Sequence, residues 1–173
     1  MKTIVGEKVI LRPIRRDDTD LIVRWRNNPD VMKNFIFREH LTREMHYDWI
    51  KNRVDRGEVI QFIIIEKITN QPVGSVYFRD INEKFRSAEY GIFIGEDNAR
   101  GKGYGGETAK LFVKYGFEDL GLHRISLRLF EDNERAYHSY QKAGFKIEGK
   151  FRDMVYLEGK YHNIIFMSII SEH

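Results

Sequence analysis

Residues 100–106 read Arg-Gly-Lys-Gly-Tyr-Gly-Gly, and they separate a strand-like run that ends at Ile94 from a helix-like run that begins near Glu107. Glycines allow successive backbone N–H groups to turn toward one point, and a helix start adds unpaired N–H donors and the positive end of its dipole. Arg100 and Lys102 add positive charge at the rim, which suits a phosphorylated ligand better than a bare carboxylate. The segment therefore predicts a cradle for a pyrophosphate.

Two other interpretations of this glycine segment are open on its residues alone. An ordinary glycine-rich turn can cap the following helix without binding a ligand. Gly101, Gly103 and Gly106 also satisfy the dinucleotide-binding pattern G-x-G-x-x-G, and Glu131 or Asp132 follows roughly 20 to 30 residues later. The elements on either side must distinguish these interpretations.

The composition predicts one globular domain that spans residues 1–173. A hydrophobic share of 42% with 32% charged residues is typical of a globular protein in water, and a chain of this length can bury a full core. The formal net charge of +3 is too small to indicate nucleic-acid binding. No apolar run approaches the length of a signal peptide core or a membrane span, so we predict a cytoplasmic protein with no membrane partner.

The chain contains no cysteine, which excludes disulfides, thiolate metal sites and a cysteine nucleophile. Covalent thioester chemistry on the protein is excluded for the same reason. The six histidines show no spacing with carboxylates that would complete a metal coordination shell, so we predict no metal site.

The periodicity of apolar residues changes along the chain and predicts a mixed fold. The predicted elements, in chain order, are a strand over 8–14, a helix from Asp17 that ends before Pro29, a helix from Thr42 to Gly57, strands over 60–65, 73–81 and 88–94, a helix over 107–120, a strand over 124–130, a helix over 133–142, and strands over 145–151 and 161–169. Only the segment from Ala88 to Phe130 forms a strand-helix-strand crossover in the parallel sense, whereas a dinucleotide-binding Rossmann sheet needs several. The order therefore argues against a dinucleotide fold.

This arrangement, with a glycine segment after the fourth strand, resembles the GNAT acetyltransferase superfamily. The signature Arg/Gln-x-x-Gly-x-Gly/Ala is matched by Arg100, Gly103 and Gly105, and a second signature, Asn followed by a short helix with a Tyr and then Gly-Phe, is matched without a gap by residues 133–145. The resemblance extends from about Val9 to Met167. It implies an α+β (α/β) GNAT fold whose mixed central sheet has about seven strands, mostly antiparallel with one parallel β-α-β crossover, flanked by about four helices.

The same resemblance implies acetyl-CoA as co-substrate. It places the pyrophosphate on the backbone amides of the glycine segment, and it assigns pantetheine contacts to the main chain of the preceding strand. The implied cofactor-binding residues are Ile92, Ile94, Arg100, Gly101, Lys102, Gly103, Tyr104, Gly105, Gly106 and Asn133, with Gly91 as a further backbone contact. Asn133 also has the residue type and position of a helix cap.

Two catalytic residues follow from the resemblance. The phenol of Tyr140 would donate a proton to the sulfur of CoA, and its ordinary pKa of about 10 keeps it protonated at neutral pH. Glu89 would accept the proton of the amine, directly or through water. The alternatives are a core aromatic for Tyr140 and a solvated strand carboxylate for Glu89. Tyr137, on the same helix, is interpreted as packing.

The acceptor is predicted to be a primary amine bound by residues 24–56, where eight basic and five acidic side chains give +3. A polyamine would prefer the opposite sign. This region resembles N-acetyltransferases that act on nucleotide-linked amino sugars, in which Arg26 and His40 would line the acceptor pocket, and it also resembles the branch that acetylates ribosomal-protein N-termini. We rank an amino sugar first, a protein N-terminus second and a polyamine such as spermidine third. A non-catalytic acyl-CoA sensor is the alternative class, and a monomer and a homodimer are both compatible with the sequence.

Overall fold

The structure, a computed structural model, describes residues 1–172. Its strands are β1 (Ile4–Val5), β2 (Val9–Pro13), β3 (Ile60–Glu66), β4 (Gln71–Asn82), β5 (Ser87–Ile94), β6 (Arg124–Phe130), β7 (Lys146–Leu157) and β8 (Lys160–Ile170). Its α-helices are α1 (Thr19–Asn27), α2 (Pro29–Met32), α3 (Arg43–Trp49), α4 (Tyr104–Glu118) and α5 (Glu134–Lys142). Short 3₁₀ turns lie at Arg16–Asp18 and Asp97–Ala99, and a π-helical turn at Ile50–Val54 continues α3.

The strands form one sheet in the order β1-β2-β3-β4-β5-β6-β8-β7, and β5 and β6 are the parallel pair. This confirms the predicted mixed sheet, because β5, α4 and β6 form the parallel crossover. The predicted strand and helix numbers missed two short elements, the two-residue edge strand β1 and the single turn α2. Asn28 starts α2 by accepting a hydrogen bond from the backbone N–H of Asp30 at 3.0 Å, and Pro29 suits the first helical position.

Each face of the sheet is covered by different helices. On one face, α4 and α5 pack over a large apolar core centred on Phe62, Phe78 and Phe112, with Phe78 and Phe112 stacked at 4.3 Å between ring centroids. On the other face, α1 and α2 cover a smaller core in which Trp25 is 1% exposed and packs against Phe93. The sheet therefore lies between two lobes. One lobe is formed by α4 and α5 with the larger core, and the other by α1 and α2 with the smaller core.

The parallel pair opens along its length. Pairing between β5 and β6 is confined to Ser87–Glu89 opposite Arg124–Ser126, and β5 continues to Ile94 without further pairing to β6. The backbone edge of β5 beyond Glu89 therefore faces a gap rather than a neighbouring strand. The predicted pantetheine contacts, Ile92 and Ile94, lie on this part of β5.

Two predicted boundaries were wrong. Helix α4 begins at Tyr104, three residues before the predicted start, because Gly103 takes a left-handed conformation and acts as the N-cap. The last hairpin is longer than predicted, since β7 and β8 extend to a two-residue turn at Glu158-Gly159 in which both residues have positive φ. None of the helices among residues 1–172 is long and apolar enough to cross a membrane.

Candidate active site

The glycine segment forms a backbone-lined cradle at the start of α4. Gly101 and Gly103 have φ values of +78° and +85°, a conformation that residues with a Cβ rarely adopt. A Cβ built at Gly105 would meet no atom within 4 Å, so the helix start faces open space. The helix has 15 residues, and its first N–H groups point into that space with no intrahelical partners. The residues present therefore fit a diphosphate.

Glu66, the last residue of β3, holds the glycine segment in place. This carboxylate accepts hydrogen bonds from the hydroxyls of Tyr104 and Thr69 and pairs with the Lys102 ammonium at 3.3 Å. The hydrogen bonds from Thr69 and Tyr104 lower the pKa of Glu66 to about 2. The Tyr104 side chain is therefore buried in this anchor, so that only its backbone remains for ligand binding. Arg100 pairs with the more exposed Asp97 at 2.9 Å.

Two basic side chains beside the cradle were not predicted from the sequence. The Lys8 ammonium lies 3.5 Å from the position that a Cβ of Gly103 would occupy, and the Arg135 guanidinium lies 3.6 Å from that of Gly101. Lys8 is held there because its backbone N–H donates to Glu107 in the first turn of α4 at 2.9 Å. Lys8 directly precedes β2 and Arg135 lies within the second signature, on α5, so both come from segments distant in sequence from the glycines.

Helix α5 carries the two predicted residues of the second signature. The Asn133 side chain accepts from the backbone N–H of Ala136 at 3.2 Å, which confirms its role as a helix cap. Its amide group also donates to Asn34 at 3.4 Å, which joins the two lobes. Tyr140 is half-buried and packs edge-on against Tyr90, with ring centroids 6.0 Å apart. Burial raises the pKa of the Tyr140 phenol, with a smaller contribution from Tyr77.

Glu89 lies on the face of β5 opposite to that of Tyr90, and its carboxylate is engaged in ion pairs. Its Oε1 atom accepts from Arg79 at 2.5 Å on β4 and from Arg128 at 3.1 Å on β6. The Glu89 side chain is 18% exposed. The Glu89 carboxylate therefore links β4, β5 and β6 at the point where β5 and β6 separate. Neither the catalytic nor the solvated-carboxylate interpretation included this structural role.

Tyr77 is a further residue that sequence reasoning missed. It lies opposite Gly91 in the ladder between β4 and β5, and a Cβ at Gly91 would collide with the phenol ring and its oxygen. The Tyr77 phenol therefore lies over Gly91, in the part of β5 that has no pairing to β6. Burial raises the pKa of Tyr77, and the charges of Arg79 and Arg26 partly oppose that rise.

The two predicted acceptor residues have different surroundings. The guanidinium of Arg26 stacks on the Phe35 ring at 3.8 Å, and burial lowers its pKa. His40 is exposed in the segment between α2 and α3 and forms no hydrogen bond or ion pair among residues 1–172. Its neighbour Leu41 is fixed instead, through two 2.8 Å hydrogen bonds with the Asn27 amide. The structure thus brings Arg26, but not His40, into a cluster with other polar side chains.

An open parallel strand pair, a glycine cradle at a helix start and a half-buried phenol beside them are the features that the resemblance to GNAT acetyltransferases implies. Residues 8–146 match the family described as "Acetyltransferase (GNAT) domain". The chain belongs to this GNAT acetyltransferase family, whose members use acetyl-CoA.

Named relatives cover nearly the whole chain. It is 30% identical over 164 residues to spermidine N(1)-acetyltransferase of Escherichia coli strain K12, which covers 95% of this chain and 87% of that protein. It is 26% identical over 144 residues to acetyltransferase PseH of Campylobacter jejuni, which covers 83% and 87% of the two chains. The crystal structure of spermidine N-acetyltransferase from Vibrio cholerae in complex with CoA and spermine superimposes with a TM-score of 0.89 at 25% identity, covering 95% and 96% of the two chains.

Proposed function

We propose that this chain transfers the acetyl group of acetyl-CoA to a primary amine by direct transfer within a ternary complex, with Tyr140 as the proton donor. The position of the Tyr140 phenol, on the helix beside the cradle and next to the opening of the sheet, carries this proposal. Direct transfer is favoured because the chain has no cysteine that could hold an acyl group as a thioester.

The cradle would hold the diphosphate of acetyl-CoA through the amides from Gly101 to Gly106. Lys8 and Arg135 support this role because they add positive charge beside the glycines. The backbone of β5 beyond Glu89 has no strand partner on the β6 side, which supports Ile92 and Ile94 as backbone contacts of the pantetheine arm. When bound, acetyl-CoA supplies the activated acetyl group as a thioester.

The transfer forms a C–N bond and breaks the C–S bond, while one proton leaves the amine and one reaches the sulfur. An alkyl thiol has an ordinary pKa near 8.5 and a phenol near 10, so complete transfer from phenol to thiolate is uphill by roughly 2 kcal/mol. Burial raises the pKa of Tyr140 further, which keeps its hydroxyl protonated. Tyr140 would therefore donate a hydrogen bond to the departing sulfur as negative charge develops there, give its proton to the thiolate, and recover a proton from solvent.

The amine must be neutral to attack the thioester. The guanidinium groups of Arg26, Arg79 and Arg128 disfavour an ammonium nearby, which lowers the pKa of a bound amine. We propose Glu89 as the proton acceptor, although its Oε1 atom already accepts hydrogen bonds from two arginines. A second route, loss of the proton to bulk water, is open for the same reason.

Two acceptors have separate support. The named relatives that act on spermidine favour a polyamine over the amino sugar ranked first from the sequence. An amino sugar, with the nucleotide link that the sequence suggested, is the second candidate because the guanidinium groups of Arg79 and Arg128 beside Glu89 suit an anionic carrier.

CoA release from acetyl-CoA tests the proposal with spermidine, a UDP-linked amino sugar and an N-terminal peptide as acceptors. We expect turnover with at least one amine, and a loss of turnover of about 10²-fold or more in Tyr140→Phe with little change in acetyl-CoA affinity. Tyr137→Phe is the matched control, because Tyr137 lies on the same helix and its hydroxyl accepts from Gln141. Acetyl-CoA binding without turnover on any amine would favour a non-catalytic sensor instead.

A further inference from the structure

Three arginines from separate elements lie on the face of the sheet that α1 covers, which we call the acceptor face. Arg26 comes from α1, Arg79 from β4 and Arg128 from β6, and Tyr77 and Glu89 lie among them. We call these five residues the arginine cluster. Arg79 and Arg128 pair with Glu89, and Arg26 stacks on Phe35, which packs against Phe93 on the same strand as Glu89. The influence of Tyr77 and Arg79 on the pKa of Arg26 agrees with this placement.

The charges in the arginine cluster do not balance. Arg79 and Arg128 both pair with the single carboxylate Glu89, and Arg26 has no carboxylate partner among residues 1–172, which leaves two positive charges in a half-buried space. Asp80 offsets part of this excess, but it is 63% exposed and lies 3.8 Å from Arg79, where solvent screens it. Charges removed from water are normally paired, so the excess indicates a site for a negative partner.

Arg26 is the member without a partner. It forms no hydrogen bond or ion pair within residues 1–172, and its Nε atom is buried with no acceptor. Its contact is the face of Phe35, which in turn packs edge-on against Phe93. An aromatic face orients a guanidinium plane while leaving its N–H groups free to bond two oxygens side by side.

Tyr77 connects this cluster to the reaction centre. Its phenol crosses Gly91 on the acceptor face, and it is coupled electrostatically to Tyr140 on the other face of β5. A group held by Arg26 and Arg128 would therefore lie on the acceptor side of the gap, beside the proposed thioester position.

We infer that the arginine cluster binds an anionic group of the acceptor, and that the physiological acceptor is an amine that also bears a phosphate or carboxylate. The inference rests on the proposed acetyl transfer and specifies its substrate class. It departs from the polyamine acceptors of the named relatives, because a polycation would place further positive charge against unpaired guanidinium groups.

The test compares acceptors that differ in charge. CoA release is measured with glucosamine 6-phosphate, 4-aminobutyrate, glucosamine and spermidine, on the wild type and on Arg26→Gln and Arg128→Gln. We expect the wild type to prefer an anionic acceptor over glucosamine by at least about tenfold in kcat/KM, and each variant to reduce that preference through a higher KM. The phosphate and carboxylate compounds distinguish the two sources of negative charge.

Two controls keep the test decisive. Arg24→Gln lies on the same helix, where Arg24 pairs with Glu96 at the surface, and should retain the preference. Arg26→Lys keeps the positive charge but not the planar guanidinium group, so it should recover part of the preference. It replaces Arg26→Gln as the test variant if that variant folds poorly.

Equal or better turnover of spermidine or glucosamine by the wild type would overturn the inference. If no amine is turned over, calorimetry with glucosamine 6-phosphate in the presence of CoA still measures the anion site, and its absence there would also overturn the inference.

Discussion

Gly103 shows how one residue sets the geometry of the cradle. It has a φ of +85°, starts α4, and lies with the Lys8 ammonium 3.5 Å from its virtual Cβ. An added methyl group would cost about 1–2 kcal/mol in this left-handed conformation. It would also occupy the space in which a diphosphate is expected.

We predict that Gly103→Ala weakens CoA binding by about tenfold or more in calorimetric titration, because both the loop conformation and the space above it change. Gly57→Ala is the matched control, since Gly57 has a φ of +75° and no atom within 4 Å of its virtual Cβ. The control should show a similar loss of stability and unchanged CoA affinity. Equal CoA affinity in both variants would remove the cradle from the account.

His46 is a buried titratable residue away from the cradle. It is 2% exposed, its Nδ1 atom lies 2.9 Å from the Thr19 hydroxyl, and its Nε2 atom has no partner among the described residues. Burial lowers its pKa to about 4, with Asp18 opposing and Arg26 reinforcing the shift. The unfolded chain binds this proton near pH 6.5 and the folded chain only near pH 4.

Stability should therefore be fully present above pH 6.5 and fall as the pH is lowered toward 4. We predict that the free energy of unfolding of the wild type falls between pH 7.5 and 5.0 by about 2 kcal/mol more than that of His46→Gln. Urea unfolding at the two pH values measures the difference. Parallel losses in both proteins would show that His46 is not the group responsible.

At the scale of the elements, the opening between β5 and β6 depends on the ion pairs of Glu89. This carboxylate joins β4, β5 and β6 at the last paired residues before the strands separate. We predict that Glu89→Gln lowers the free energy of unfolding by about 2 kcal/mol, because both guanidinium groups lose their charged acceptor. Glu148→Gln, which removes the more exposed partner of Arg124, should cost less than about 1 kcal/mol.

The same Glu89 variant separates the two routes for the amine proton. If Glu89 accepts it, kcat/KM of Glu89→Gln should fall and the acidic limb of the pH-rate profile should shift. A retained rate with an unshifted acidic limb would assign the proton to bulk water and leave Glu89 with the structural role alone.

The sequence predicted those parts of the site that depend on short-range patterns. The glycine segment and the Asn133 cap follow from spacing within one element, and each lies where expected. Lys8, Tyr77, Arg79, Arg128 and Arg135 were missed because their positions depend on strand register and on packing between elements far apart in the chain. The start of α4 at Tyr104 was not predicted because glycines, which rarely indicate a helix, occupy its first turn. This is the turn that faces the proposed ligand.

At the scale of the whole molecule, side-chain contacts join the two lobes. Asn34 contacts Asn133, and Arg38 bonds Glu158 at 3.0 Å while its guanidinium lies over Phe130. The segment between α2 and α3 is thereby tied to the last hairpin. Acetyl-CoA would approach from the α4 and α5 side and the amine from the α1 side, so both substrates can be bound at once.

A crystal structure of this chain with CoA tests the central claim most directly. The account predicts the diphosphate on the amides between Gly101 and Gly106, the pantetheine arm along β5 beyond Glu89, and the sulfur within hydrogen-bond distance of the Tyr140 hydroxyl. A diphosphate bound elsewhere, or a sulfur remote from Tyr140 with the cradle filled, would contradict it.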